Sequence, residues 1–220
     1  IDPFAAQLGE ISCISKLNGS FRAHAKDPIS SGLALEAFVP ENYWKDYGGE
    51  VLLLGAGGAS LAMSVYLTQK KFGDNVPKKI TIANRSLPRL QEARRILENL
   101  NEKTKFEFIL NPVPEENDKT LASLPPHSLI VNATGLGKDG PGSPLTDACQ
   151  FPKDSLVWEI NYRGDLVFKD QANAQKEAKN LYIEDGWIYF IHGWTQVVSE
   201  VFHVSIEGEV LDQMSELARG

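Results

Sequence analysis

The sequence is poor in the residues that build metal centres and covalent frameworks. It holds two cysteines, Cys13 and Cys149, and four histidines in 220 residues. The cysteines form no CxxC pair and neither lies near a histidine cluster, which argues against a zinc site, and no metal is expected. Both read as free thiols in a reducing cytoplasm. Long apolar runs are also scarce. The longest, VLLLGAGGASLAMSVYL (51–67), is broken by glycines and too short for a comfortable membrane span, so no membrane partner is expected. Nothing in the chain reads as a signal peptide. Dense basic runs are missing too: the net charge is −7, and QKK and PKK (69–79) read as a solvated face. Nucleic acid is therefore not an expected partner. The chain begins IDPFAAQ without methionine and reads either as processed or as a fragment of something longer.

What is present is an alternation of strand and helix patterns. Residues 10–27 alternate apolar and polar around Asn18-Gly19, the signature of a hairpin with a tight turn. Pro28 is expected to push Asp27 towards an extended backbone, with a helix following from a Ser30 or Ser31 cap. PENYWKDYGGE reads as a hydrophilic link. Six apolar runs then suit strands: VLLLGAG, KKITIAN, FEFILNPV, SLIVNATG, SLVWEINY and NLYIED. The first is followed by a helix, ASLAMSVYLTQKKFG, with Gly73 near its end. The second is followed by an amphipathic helix capped by Ser86, with Pro88 in its first turn and Leu90, Ala93, Ile96 and Leu97 on one face. Two helices, about 188–203 and 206–217, close the chain. This order predicts an α/β fold, a Rossmann-type doubly wound parallel sheet with helices on both faces. GLGKDGPGSPL is the loop richest in Gly and Pro and a candidate mobile segment.

The glycine turn carries the first chemistry. Gly55, Gly57 and Gly58 lie between the first buried strand and its helix, with Ser60 in the place of a third glycine. Glycines there let the chain turn sharply and let a pyrophosphate approach the amides, while the helix N-terminus adds unpaired N–H groups; a tight structural turn is the plainer reading. The second strand ends in Asn84, Arg85 and Ser86, where an NAD site usually carries a carboxylate for the ribose. Arg85 offers planar donors for a 2′-phosphate, and Arg89, one helical turn on, reaches the same group; Ser86 adds a hydroxyl. The cofactor expected from this strand end is NADP, against two ordinary surface arginines. Asn132, Ala133 and Thr134 end the fourth strand, where open sheets hold ligands or simply turn.

Together GAGGA (55–59), NRSLPR (84–89), NAT…G (132–137), WEINY (158–162) and DGWIYFIHG (185–193) resemble the shikimate/quinate dehydrogenase family over most of residues 9–203. The resemblance implies an NADP-binding domain beside a substrate domain, with the active site between them and reversible reduction of 3-dehydroshikimate as the activity. It implies a cytoplasmic enzyme of aromatic amino acid biosynthesis acting on a small cyclic hydroxy or keto acid, and it allows a homodimer. On it, residues 1–46 are the last part of the substrate domain, 47–186 the NADP-binding domain, and 187–220 helices that pack back towards the substrate domain. Cofactor contacts would be Gly55, Ala56, Gly57, Gly58, Ala59, Asn84, Arg85, Ser86, Arg89, Asn132, Ala133, Thr134, Ile160, Gly186 and Ile188. Asp27 aligns with the family's catalytic Asp, and Ser12, Tyr162 and His192 with substrate-binding positions.

The departures are specific. The family's NTD reads Ala25-Lys26-Asp27, its earlier Asn-Thr reads Ser12-Cys13, and its substrate Gln reads His192. Its catalytic Lys lies N-terminal to everything present. Lys26 is next to Asp27, but neighbours on an extended chain face opposite ways. The changed positions point to a substrate other than shikimate. Asp27 reads as a proton donor or as an Asp-Pro turn residue, His192 and Tyr162 as substrate contacts or as packed residues. Two functions stay open: an NADP oxidoreductase, and a catalytically inactive NADP(H)-binding sensor or interaction module on the same fold.

Overall fold

A computed structural model of the chain describes residues 1–98 and 100–219. It opens with a short helix, α1 (Pro3–Leu8), and a hairpin of β1 (Cys13–Leu17) and β2 (Ser20–His24). Leu17 faces Ser20 across the turn, and Asn18 and Gly19 take φ of 50° and 79°, as the expected Asn-Gly turn requires. The inward face of the hairpin is polar. Ser15 is buried and meets His24 at 2.9 Å, whereas Ile14 and Phe21 are exposed.

Helix α2 (Asp27–Glu36) begins earlier than its pattern predicts. Pro28 occupies the first turn, where its missing N–H costs no hydrogen bond, so Asp27 is helical rather than extended. Ser30 and Ser31 are inside the helix and not at its cap. Ser30 donates to the carbonyls of Lys26 and His192, at 3.1 and 3.2 Å, and Ser31 to that of Pro28 at 3.4 Å. The supposed hydrophilic link contains α3 (Tyr43–Tyr47), which buries Tyr43 and Trp44.

Every residue of β3 (Val51–Leu54) is fully buried. Helix α4 (Gly58–Leu67) ends short of Gly73: the Thr68 hydroxyl donates to the Ser64 carbonyl at 2.7 Å, and Gly73 closes a separate short turn. There follow β4 (Lys79–Asn84), α5 (Leu87–Leu97), β5 (Lys105–Leu110), α6 (Pro114–Ala122), β6 (Leu129–Asn132), β7 (Leu156–Glu159), α7 (Val167–Asn173), α8 (Lys176–Lys179), β8 (Tyr182–Glu184), α9 (Trp187–Phe202) and α10 (Glu209–Arg219). On α5, Leu90, Ala93 and Leu97 are buried as its pattern predicts.

Strands β3 to β8 form one parallel sheet in the order β5-β4-β3-β6-β7-β8. The order reverses between β3 and β6, which opens a crevice at their carboxyl ends. Alternate strand residues point to opposite faces. Val51, Leu53, Ile80, Ile82 and Trp158 join one buried cluster with α2, α4 and α5, and Leu52, Leu54, Ile130 and Val157 join another with Leu121 and Phe168.

The amino-terminal elements are tied to the sheet through α2. A Cβ on Gly32 would lie 2.2 Å from the Tyr66 ring of α4, so that ring packs directly on the α2 backbone. On its other side α2 is bonded to α9 through Ser30 and the His192 carbonyl. Lys26 is ion-paired with Glu200 of α9, which also lies 3.2 Å from His24.

Candidate active site

Two neighbouring clefts open along the glycine turn. The larger, about 620 Å³, is lined by Gly55, Ala56, Gly57 and Gly58, by Asn84, Arg85, Ser86 and Arg89, and by Ala133 and Thr134. Gly55 has φ of 111°, and a Cβ there would stand 2.5 Å from the Ala133 carbonyl oxygen. Both demands exclude a side chain, and they seat the glycine turn directly on the NAT segment. Space around Gly57 is open: a Cβ would meet nothing within 4 Å. Gly57 caps α4 with no side-chain bond, which leaves the first amides of the helix free for an anion. Ser60 does more than fit. Its hydroxyl donates to the Gly55 carbonyl at 2.7 Å and ties helix to turn.

Arg85 and Arg89 are exposed on this cleft. Helix α5 makes its ion pairs further along, Arg95 with Glu92 and Arg94 with Glu98. Ser86 is the N-cap residue of α5 as its pattern predicts, but its hydroxyl makes no capping bond and is left for another partner. Glu10 was not anticipated. Its carboxylate rests against Gly58, 2.9 Å from where a Cβ would be. Burial and then the Asp27 charge push the Glu10 carboxyl up, while Arg89 pulls it down.

The second cleft, about 430 Å³, brings together Ser12, Asp27, Ala59, Ile160 and Tyr162 from the expected set. Tyr189, Phe190, Trp194 and Val197 of α9 form its apolar wall, and Tyr162 stacks on Phe190 with ring centres 4.1 Å apart. Burial pushes the Asp27 carboxyl up. Ser12 is already engaged: its hydroxyl donates to the His24 carbonyl at 3.3 Å and accepts from the Lys26 amide at 2.7 Å. His192 is not among the lining residues. The face of α9 turned to the cleft carries Phe190, Gly193, Trp194 and Val197, whereas the His192 carbonyl bonds α2, and burial lowers the ring's basicity. Gly186 and Ile188 also lie outside both linings. A Cβ on Gly186 would be 2.1 Å from the Ile160 carbonyl oxygen, and Ile188 packs on the core.

Below the clefts lies a polar cluster that takes in Asn132 and Thr134 of the expected set; Asn132 is fully buried and lines neither cleft, and Glu159 was not singled out. Glu159, fully buried at the end of β7, accepts from the Asn132 amide at 2.7 Å and from the Asn161 backbone and side-chain nitrogens at 2.9 and 2.7 Å. Asn132 also accepts from the Thr134 amide and hydroxyl, at 3.2 and 2.7 Å. Both asparagine side chains donate to the Leu136 carbonyl, at 3.3 and 3.1 Å. Burial raises the Glu159 carboxyl to about 7, against the pull of these donors. The signal for it was an acid inside an apolar strand run, SLVWEINY.

No protein-family model matches the chain. Curated shikimate dehydrogenases (NADP(+)) do. That of Lactococcus lactis is 27% identical over 163 residues, 74% of this chain and 54% of the relative. That of Bacillus cereus is 26% identical over 196 residues, 87% of this chain and 62% of the relative. The chain is thus similar in sequence to shikimate dehydrogenases over most of its length. It spans about half the length of the first relatives it matches, 54% and 51%. Among solved structures, quinate dehydrogenase from Corynebacterium glutamicum in complex with NAD superposes with a TM-score of 0.73 at 21% identity, over 98% of this chain and 70% of that one. Shikimate 5-dehydrogenase from Listeria monocytogenes, in complex with shikimate and NAD, gives 0.72 at 17% identity, over 99% and 70%. The fold is therefore the one seen in these dehydrogenases. Among the described residues no helix is long and apolar enough to cross a membrane.

Proposed function

We propose that this chain is the cofactor half, with part of the substrate half, of an NADP-dependent oxidoreductase acting on a cyclic keto or hydroxy acid such as 3-dehydroshikimate. The observation that carries the reading is one continuous arrangement. A glycine turn and two arginines share a cleft, and the next cleft holds Asp27 beside Ala59 of the same turn.

The turn fits a dinucleotide on its own geometry: open space at Gly57, uncapped α4 amides, and a side-chain-free contact between Gly55 and Ala133. Arg85, Ser86 and Arg89 would hold the 2′-phosphate, and the amides of α4 the pyrophosphate. NADPH, when bound, supplies the hydride. The residues of this chain do the remaining work. Asp27, protonated to higher pH than an ordinary carboxyl because it is buried, gives its proton to the carbonyl oxygen of the substrate and regains one from solvent. Phe190, Trp194 and Val197 give one side of the cleft an apolar wall. Lys26 stays out of the proton path because Glu200 binds it.

A second reading, an NADP(H)-binding module without chemistry, is favoured by Ser12, whose hydroxyl is taken up by the hairpin. NADPH oxidation by the complete protein with 3-dehydroshikimate separates the two. Asp27→Asn should lower kcat by roughly 100- to 10,000-fold and leave NADPH binding intact. In the wild type, kcat for reduction should fall as pH rises through the raised Asp27 value. NADPH binding without consumption, with any cyclic keto acid, would leave the second reading standing.

A further inference from the structure

The loop after β6 puts an unassigned lysine into the substrate cleft. Among the residues lining that cleft Lys138 is the one cation and Asp27 the one anion. We propose that Lys138 is the anion anchor of this cleft: its ammonium holds the carboxylate of an acidic ring substrate whose reacting carbon faces Asp27. The proposal rests on the reading of this cleft as a substrate site.

Three features make Lys138 more than a solvated surface charge. Its side chain is 25% exposed, and its ammonium stands 5.7 Å from the centre of the Tyr162 ring, which holds a cation at the cleft wall. Its charge is not used up internally. Its partner Asp139, at 3.3 Å, is 61% exposed and is shared with Arg163 at 3.7 Å, so two cations face one carboxylate and the group keeps a net positive charge. Its backbone is fixed. The Leu136 carbonyl accepts from Asn132 and Asn161, Gly137 donates to the Gly140 carbonyl at 2.7 Å, and the Lys138 amide donates to the Gly135 carbonyl at 3.2 Å. The turn carrying Arg163 closes on this loop: a Cβ on Gly164 would be 2.0 Å from the Gly137 oxygen and 2.9 Å from the Lys138 Cα. The loop that carries the charge is thus seated on the same asparagines that Glu159 holds.

Lys138 thus has a task apart from that of Asp27, whose carboxyl burial pushes up. The two charges serve different ends of one ligand. Phe190 and the ring of Tyr162 lie alongside, suited to the flat or puckered face of a carbocycle. The ligand class that matches is a ring bearing a carboxylate at one end and a carbonyl or hydroxyl at the other.

The test compares wild type, Lys138→Met and Lys138→Arg of the complete protein loaded with NADP. Binding of shikimate and of its methyl ester is measured by calorimetry, and KM and kcat for 3-dehydroshikimate by NADPH consumption. A lost charge-assisted contact should weaken shikimate binding roughly ten- to hundred-fold in Lys138→Met. Lys138→Arg should bind within a few-fold of wild type. The ester should bind wild type and Lys138→Met alike, and NADP binding should not change. The loss should fall on KM, with kcat kept. Equal shikimate affinity in wild type and Lys138→Met, an equal loss for the ester, or no shikimate binding to wild type each overturn the anchor. The outcomes for the anchor and for the enzyme are separable. Lys138-dependent shikimate binding without NADPH consumption sinks the dehydrogenase reading and leaves the anchor. NADPH consumption with an unmoved KM in Lys138→Met does the reverse.

Discussion

The Asn132 side chain donates to the Glu159 carboxylate at 2.7 Å, and the two residues are direct partners across the paired ends of β6 and β7. Glu159 therefore joins two loops that leave the sheet at the cleft floor. One carries Thr134 and Lys138, the other Asn161 and Tyr162.

The burial of Glu159 makes stability depend on pH. Its folded value, about 7, lies above the ordinary 4.5. A carboxyl raised by folding contributes fully below about pH 4.5, where both states are protonated, and the contribution is lost as pH rises to about 7. The upper bound is about 3 kcal/mol, at about 1.4 kcal/mol per pKa unit. Thermal unfolding across this window should show wild type losing stability and Glu159→Gln lacking that slope. Identical slopes would assign the titration to another group.

Arg85 should choose between cofactors. On the proposed assignment, removing its guanidinium takes away a charge-assisted contact to the 2′-phosphate and nothing that NADH offers. Arg85→Ala should weaken NADPH binding by roughly ten- to hundred-fold and leave NADH binding nearly unchanged. The comparison is pointed because the structural neighbours from Corynebacterium glutamicum and Listeria monocytogenes hold NAD. If fluorescence titrations give equal losses for both nucleotides, the preference for NADP is wrong.

Glu10 should oppose the cofactor. Its carboxylate lies against Gly58, where a pyrophosphate would approach the α4 amides. Glu10→Gln should tighten NADPH binding several-fold, most strongly at low salt, where charges act furthest. Because the Glu10 carboxyl is raised, wild-type affinity should fall as pH climbs through its value, and the Gln variant should stay flat. Weaker binding in Glu10→Gln would show that the carboxylate supports the site.

The sheet was legible because its central strands β3, β6 and β7 are buried on both faces and so read as apolar runs; β3 is the clearest case. The glycine turn was legible because Gly55 meets two demands that only glycine satisfies, its backbone angle and its contact with Ala133. Helix α3 was hidden: Tyr43 and Trp44 bury in a segment whose other residues are polar, too few for a period to show. The start of α2 was misjudged because a proline reads as a break from outside a helix and as a first turn from inside. Glu10 and Lys138 could not be found by spacing. Each reaches the site from a loop, and only tertiary packing decides where such a side chain ends. His192 shows the same limit, since a one-residue step on α9 moves a side chain about 100° around the helix.

The missing side chain at Gly32 has a mechanical consequence. Helix α2 is seated backbone to ring on α4 and is bonded to α9 on its far side. Asp27 stands in the first turn of α2, and Gly58 in the first turn of α4. Asp27 and the glycine turn are therefore carried by two helices packed directly on each other, and the distance between them is set by that helix seam.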